Sequence, residues 1–171
     1  MLLIRSYIPA VILLLCISCS TADKAAVQTD CPPITSDAFL KDPVEAMLNL
    51  RDFREQYGEH YKLKKFRRNL DNADHSVDTI YQFIRGSDAF IFYSSGSKDE
   101  ESFLTLKIAE DRMKLGNCIR VGMKRSRVEK LISDFPVISE NKVKIDNGQR
   151  QAVFIFSGNQ LEKVHINNFY K

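Results

Sequence analysis

The stretch "KVKIDNGQRQAVFIFSGNQLEKVHIN", residues 142–167, decides the architecture. Val143 and Ile145 alternate with Lys142, Lys144 and Asp146, and Asn147-Gly148 follows, the strongest short hairpin signal a sequence offers. "RQAVFIF" leads to a second turn at Gly158-Asn159, and "LEKVHIN" leaves it, so three antiparallel strands are predicted. Just upstream, "GMKRSRVEKLISDFP" (122–136) places Val128, Leu131, Ile132 and Phe135 at i, i+3, i+4 and i+7. This is the apolar stripe of a helix, with Pro136 as its stop.

The first half repeats this order. In "DPVEAMLNLRDFREQYG" (42–58), Asp42 is the expected N-cap, Pro43 the first helical residue and Glu45 the third. Val44, Met47 and Leu48 share one helical face, whereas Leu50, Phe53 and Tyr57 share another rotated by about 140°. Two short helices with a break near Asn49 are therefore predicted, the second ending at Gly58. Strand-like runs follow at "TIYQFIR" (79–85), "AFIFYS" (89–94) and "FLTLKIA" (103–109), the first two joined through Gly86, Ser87 and Asp88. In the third, Leu104, Leu106 and Ile108 alternate with Phe103, Thr105 and Lys107, so the three aliphatic residues are expected on one buried face.

Helices followed by three strands thus occur twice. "AFIFYSS" answers to "VFIFSGN", and "LTLKIAE" to "LEKVHIN". Each unit has too little apolar surface to bury alone. The expected fold is α+β: tandem helix-plus-sheet repeats, about 42–110 and 117–171, forming one continuous antiparallel sheet with helices on one face, a layered α/β sandwich.

"RVGMKRSRVEKLISDFP" followed by "VFIFSGNQLEKVHI" resembles the SmpA/OmlA outer-membrane lipoproteins and the related fold of beta-lactamase inhibitory protein, built from two such units. The resemblance covers residues 119–170, with Gly122 allowing the tight helix entry and Met123 packing beneath it. Lys124 stands where that family usually carries a capping Ser or Thr. The resemblance implies a BLIP-like fold and protein binding, as an accessory of outer-membrane assembly or as an inhibitor laying its sheet over a partner. It implies no catalytic residues.

The N-terminus sets the expected address. Arg5 is the only charge before an apolar run from Ile8 to Ile17, followed by small and polar residues. That run is about half the ~20 residues a membrane-spanning helix needs, so residues 1–18 read as a signal peptide. Cys19 after Ser18 resembles a lipobox, with Cys19 acylated (palmitate-type chains) as the first mature residue. Cys16 stands where such motifs usually carry leucine, which leaves cleavage near Ala22 as the alternative. Residues 19–36, small, polar and proline-containing, read as a flexible tether, and residues 37–171 as one α+β domain. The expected location is the bacterial cell envelope, at the outer membrane and held by lipid on Cys19. Cys31 and Cys118 remain either as a disulfide, which an exported protein can keep, or as two free thiols.

Removing residues 1–18 deletes only Arg5 among the charges, leaving 24 basic against 22 acidic residues. That balance argues against a nucleic-acid partner. The densest charge is "HYKLKKFRRN" (60–69), where Lys62, Lys64, Lys65, Arg67 and Arg68 surround Leu63 and Phe66, with Leu70 one turn on. Read as a helix, it lays an apolar stripe and a basic face against anionic headgroups or an acidic partner; the plain reading is a solvated face. A second candidate surface is an exposed sheet face carrying Arg150, Lys163 and His165, with Asn167 beside them by alternation.

Chemistry is not signalled. Asp71, Asp74, His75 and Asp78 crowd together but lack the glycine and glutamate of a calcium loop, at Ser76 and Gln82, so no metal site is expected. His60, His75 and His165 have no nucleophile placed beside them in sequence: Ser94 and Ser95 lack the Gly-x-Ser-x-Gly elbow, and Cys118 has no nearby histidine. The chain is read as a non-enzymatic protein-binding module for another envelope or secreted protein, without cofactor. The alternative is a ligand-binding or catalytic envelope protein with its site between the repeats.

Overall fold

The computed structural model describes residues 31–44, 48–69, 76–97, 100–116, 118–136 and 140–169. The Ile8–Ile17 run, Arg5, Cys16, Cys19, Ala22, Glu45, Met47, Leu70, Asp71, Asp74 and His75 lie outside the described residues.

Apolar alternation builds seven strands: β1 (Lys62–Asn69), β2 (Val77–Arg85), β3 (Asp88–Ser94), β4 (Glu101–Ile108), β5 (Lys142–Asp146), β6 (Arg150–Ser157) and β7 (Gln160–Asn168). They form one antiparallel sheet in the order β1-β2-β3-β4-β7-β6-β5. Three short helices, α1 (Ser36–Lys41), α2 (Leu50–Tyr57) and α3 (Arg125–Leu131), contribute buried residues to the core against one face of that sheet, giving a mixed α+β fold. The halves meet where β4 pairs with β7, from Thr105 opposite Asn167 to Ile108 opposite Val164. Side chains reinforce this short seam: Thr105 Oγ1 donates to the Ile166 carbonyl (3.0 Å), and Asn168 Nδ2 donates to the Phe103 carbonyl (3.0 Å).

Phe53 on α2 is the hub of the first half, with ring centroids 4.3 Å from Phe90, 4.9 Å from Phe83 and 5.5 Å from Phe92. Phe154 does the same for the second half, 5.5 Å from Phe39 of α1 and 5.2 Å from Phe135 beyond α3. Both hubs are fully buried. Such tilted and edge-on aromatic contacts add to the stabilisation from apolar burial.

Several local expectations are corrected. The basic stretch is strand β1, not a helix. β2 would otherwise leave a row of backbone groups unpaired, and eight residues from Lys62 to Asn69 pair with Ile84 to Val77 instead. Leu63 and Phe66, read as one helical stripe, consequently point to opposite faces. Asp42 does not open a helix: it follows the end of α1, which starts behind Thr35, whose Oγ1 accepts from the Ala38 N–H (3.1 Å). Pro43 comes after that helix, where a residue that cannot continue it belongs. The second of the two expected helices is α2, and Asn49 caps it by accepting from the Arg51 N–H (2.8 Å).

In β4 the regular alternation fails. The register jumps from Ile91–Thr105 to Phe92–Phe103, so Leu104 is the extra residue of a β-bulge, and Phe103 joins Leu106 and Ile108 in the core. The stripe of α3 holds, since Val128, Leu131, Ile132 and Phe135 are all buried, although the helix itself ends at Leu131. Lys124 at its N-cap makes no side-chain capping bond.

Residues 31–36, read as the end of the tether, lie against the folded unit. The Ile34 N–H donates to the Leu131 carbonyl (2.9 Å), the Ser133 N–H donates to the Ile34 carbonyl (2.8 Å), and a disulfide joins Cys31 to Cys118 with Cα atoms 6.2 Å apart. Gly116 lies two residues before Cys118 with φ +48°. A Cβ there would fall 2.8 Å from the Phe39 ring, so the close approach requires glycine.

Candidate protein-binding face

Strand alternation sorts the sheet's side chains into two sets. One set, including Phe83, Phe90, Leu106, Val164, Phe154 and Val143, packs under the helices. The other forms the open face. In one row across the sheet, the register sets Lys62 opposite Ile84, Ala89 opposite Lys107, Lys107 opposite His165, His165 opposite Val153, and Val153 opposite Lys144. A neighbouring row carries Lys64, Gln82, Ile91, Thr105, Asn167, Gln151 and Asp146. Lys163, Ile155 and Lys142 complete the β7-β6-β5 corner.

The open face therefore carries lysines on both edge strands and at its centre, with apolar residues among them. Lys144 pairs with Asp146 (3.3 Å) and Lys163 with Glu162 (2.8 Å). Lys62, Lys64, Lys107 and Lys142 form no ion pair among the described residues. Apolar ground lies between them: Val153 is covered to 8 % exposure, and Ile80 and Phe66, paired in register, are 38 % and 54 % exposed.

His165 is half-buried in this setting, and its Nε2 has no hydrogen-bond partner among the described residues. Burial lowers its pKa first, and Lys107, Lys163 and Lys142 lower it further. Three lysines, on β4, β7 and β5, thus act on one imidazole. A face with that field attracts carboxylates and repels cations.

The residues expected to bind do not all converge. Lys62, Lys64 and Arg68 share the open face with Lys163 and His165. Lys65 and Arg67 turn to the helix side, and Lys65 Nζ sits over the Tyr81 ring at 5.6 Å. Arg150 is also on the helix side, which corrects its grouping with Lys163 and His165. It shares a face with Ala152 and Phe154, and its Nη1 donates to the Leu40 carbonyl (2.9 Å) and the Lys41 carbonyl (2.6 Å), closing the end of α1. Lys107, Lys142 and Lys144 belong to the face without having been singled out. Their signal was present in the sequence, since each alternates with Leu106, Ile108, Val143 or Ile145.

Asp88 was read only as a turn residue. It is fully buried, and its Oδ1 accepts from the Ala109 N–H (2.7 Å) and the Glu110 N–H (3.1 Å), tying the β2–β3 turn to the end of β4. Burial raises its carboxyl pKa against the opposing pull of those two amides.

Hollows lined by described residues lie elsewhere. One of 490 Å³ is lined by Leu50, Arg51, Arg54, Glu55 and Glu101, and one of 370 Å³ by Gly148, Gln149, Arg150, Asn168 and Phe169. Neither includes a histidine, and from the two strands of the seam they take only Glu101 of β4 and Asn168 of β7, each at a strand end. Among the described residues no group of three or more His, Cys, Asp and Glu side chains could hold a metal ion, and no helix is long and apolar enough to cross a membrane. Cys118 is committed to its disulfide. No family model matches the chain, and no match is found among curated proteins or solved structures.

Proposed function

We propose that this chain is an envelope lipoprotein, anchored by acyl chains on Cys19, that binds another protein through the open face of its sheet. The observation that carries the reading is the cluster of Lys107, Lys142 and Lys163 around half-buried His165, with Val153 and Ile155 beside it. A sheet face without a covering layer among the described residues, with lysines set among apolar side chains, has the make-up of a protein interface. The resemblance of residues 119–170 to SmpA/OmlA lipoproteins and to beta-lactamase inhibitory protein supports the same reading. So does the strand order β2-β3-β4-β7-β6-β5, which fits two three-stranded units joined antiparallel as in a tandem BLIP-like repeat. The role we propose is non-enzymatic.

The test is capture of the lipidated protein from solubilised, lightly crosslinked envelopes, with Cys19→Ser as control and co-purifying proteins identified by mass spectrometry. Stoichiometric recovery of one envelope or secreted protein is expected with the native chain, and loss of the membrane fraction with Cys19→Ser. Recovery of no protein would reject the binding role, and an unchanged membrane fraction would reject the anchor.

A further inference from the structure

We infer that β1 is a docking edge that takes an extended acidic segment of a partner protein as an eighth strand of the sheet. The proposal rests on the protein-binding reading above and specifies how the partner is engaged. β1 ends the strand order, with no strand beyond it among the described residues. In an antiparallel pair every second residue turns its N–H and C=O away from its neighbour, so along eight residues β1 offers a row of backbone groups that pair with no strand among the described residues. An extended peptide pairs with such an edge through its own backbone, and side chains at the edge choose which peptide.

Charge chooses here. Five of the eight residues are Lys or Arg, and none of them forms an ion pair with a carboxylate among the described residues. Lysines on an edge also discourage pairing with a second copy of the same chain, because like charges would face each other. A purely defensive edge has no use for Phe66, yet Phe66 is 54 % exposed beside Ile80 at 38 %, directly at that margin. Charge and an apolar contact together fit a segment in which acidic residues alternate with apolar ones.

The cations also lie on both sides of the strand. Lys64 and Arg68 are on the open face, whereas Lys65 and Arg67 are on the helix side. A lipid surface would meet one side only; a strand running along the edge meets both.

The experiment uses the purified full chain and a fluorescein-labelled octapeptide alternating Glu with Val and Thr. Its comparison is the same peptide N-methylated at consecutive central amides, so that neither of its edges can pair while its charge is unchanged. The proposal expects the unmethylated peptide to bind at least tenfold more tightly and to slow amide hydrogen exchange within residues 62–69. It also expects Lys64→Glu with Lys65→Glu to weaken that binding tenfold or more. Equal binding of the two peptides, binding of neither, or slowed exchange outside β1 would each overturn it. Protection of residues 62–69 by phosphatidylglycerol vesicles but not by the peptide would overturn it in favour of a lipid surface. If the edge fails while envelope capture succeeds, the edge proposal falls alone; if capture fails too, the binding reading falls with it.

Discussion

Lys107 on β4 and His165 on β7 stand directly opposite each other across the seam between the two halves. Two basic groups in a cross-strand pair repel when both are charged, so the pairing favours the neutral imidazole. This pair lies near the centre of the open face.

The first prediction concerns pH. His165 has its pKa held below the usual 6.5, by burial and then by Lys107, Lys163 and Lys142. Between the folded pKa and 6.5 the unfolded chain binds the proton and the folded chain does not. The stability contribution of neutral His165 is therefore complete above 6.5 and lost as pH falls through that window. NMR titration of the His165 ring should give a midpoint below 6.5, and Lys107→Gln should move it upward. A midpoint at or above 6.5 in the native chain would contradict the placement of the three lysines.

Arg150 gives the matching control. Its guanidinium serves the α1 carbonyls on the helix side, so Arg150→Ala should cost about 1–3 kcal/mol in urea unfolding, the range for charge-assisted hydrogen bonds. Partner capture should be unaffected after correction for folded fraction. Loss of capture without loss of stability would return Arg150 to the binding surface.

The Cys31–Cys118 disulfide closes a loop of sequence separation 87. Loop-closure entropy puts its contribution at up to about 4–5 kcal/mol. The double variant Cys31→Ser, Cys118→Ser should unfold at lower urea, and the Ile34 amide, bonded to Leu131, should exchange faster than amides of β6 and β7. Equal denaturation curves with and without reductant would show that the bridge adds nothing.

Phe53→Ala removes the ring that four aromatic side chains of the first half meet within 5.5 Å. A loss of about 3–5 kcal/mol is expected, in the range for a buried Phe truncated to Ala, measured by thermal or urea unfolding. A change under about 1 kcal/mol would mean that α2 is not seated on β2 and β3.

How much of this was readable differs from element to element. Asn147-Gly148 and Gly158-Asn159 set β5, β6 and β7 because turn chemistry and alternation agree there, and Val128, Leu131, Ile132 and Phe135 announce α3 by period alone. β1 was not readable as a strand, because Leu63, Phe66 and Leu70 satisfy a helical period and the competing demand comes from β2's unpaired edge, a tertiary fact. Phe103 was misplaced because one inserted residue, Leu104, reverses the alternation. Arg150 was readable and misread: Ala152, Phe154 and Phe156 follow it at even spacing, which places it on the covered side. The open face could not be assembled from sequence. Lys107, Lys142 and Lys163 sit on β4, β5 and β7, and only the order β4-β7-β6-β5 brings them to one imidazole.

The most direct measurement compares envelope capture by the native chain with capture by Lys107→Glu, Lys142→Glu, two lysines without ion pairs among the described residues. Both samples would be run at low and high salt, with thermal unfolding as the check on folding. The account predicts an unchanged melting transition, at least tenfold lower recovery of the partner with the double variant, and weaker recovery by the native chain at high salt. Equal recovery by a folded double variant would place the binding surface elsewhere on the molecule.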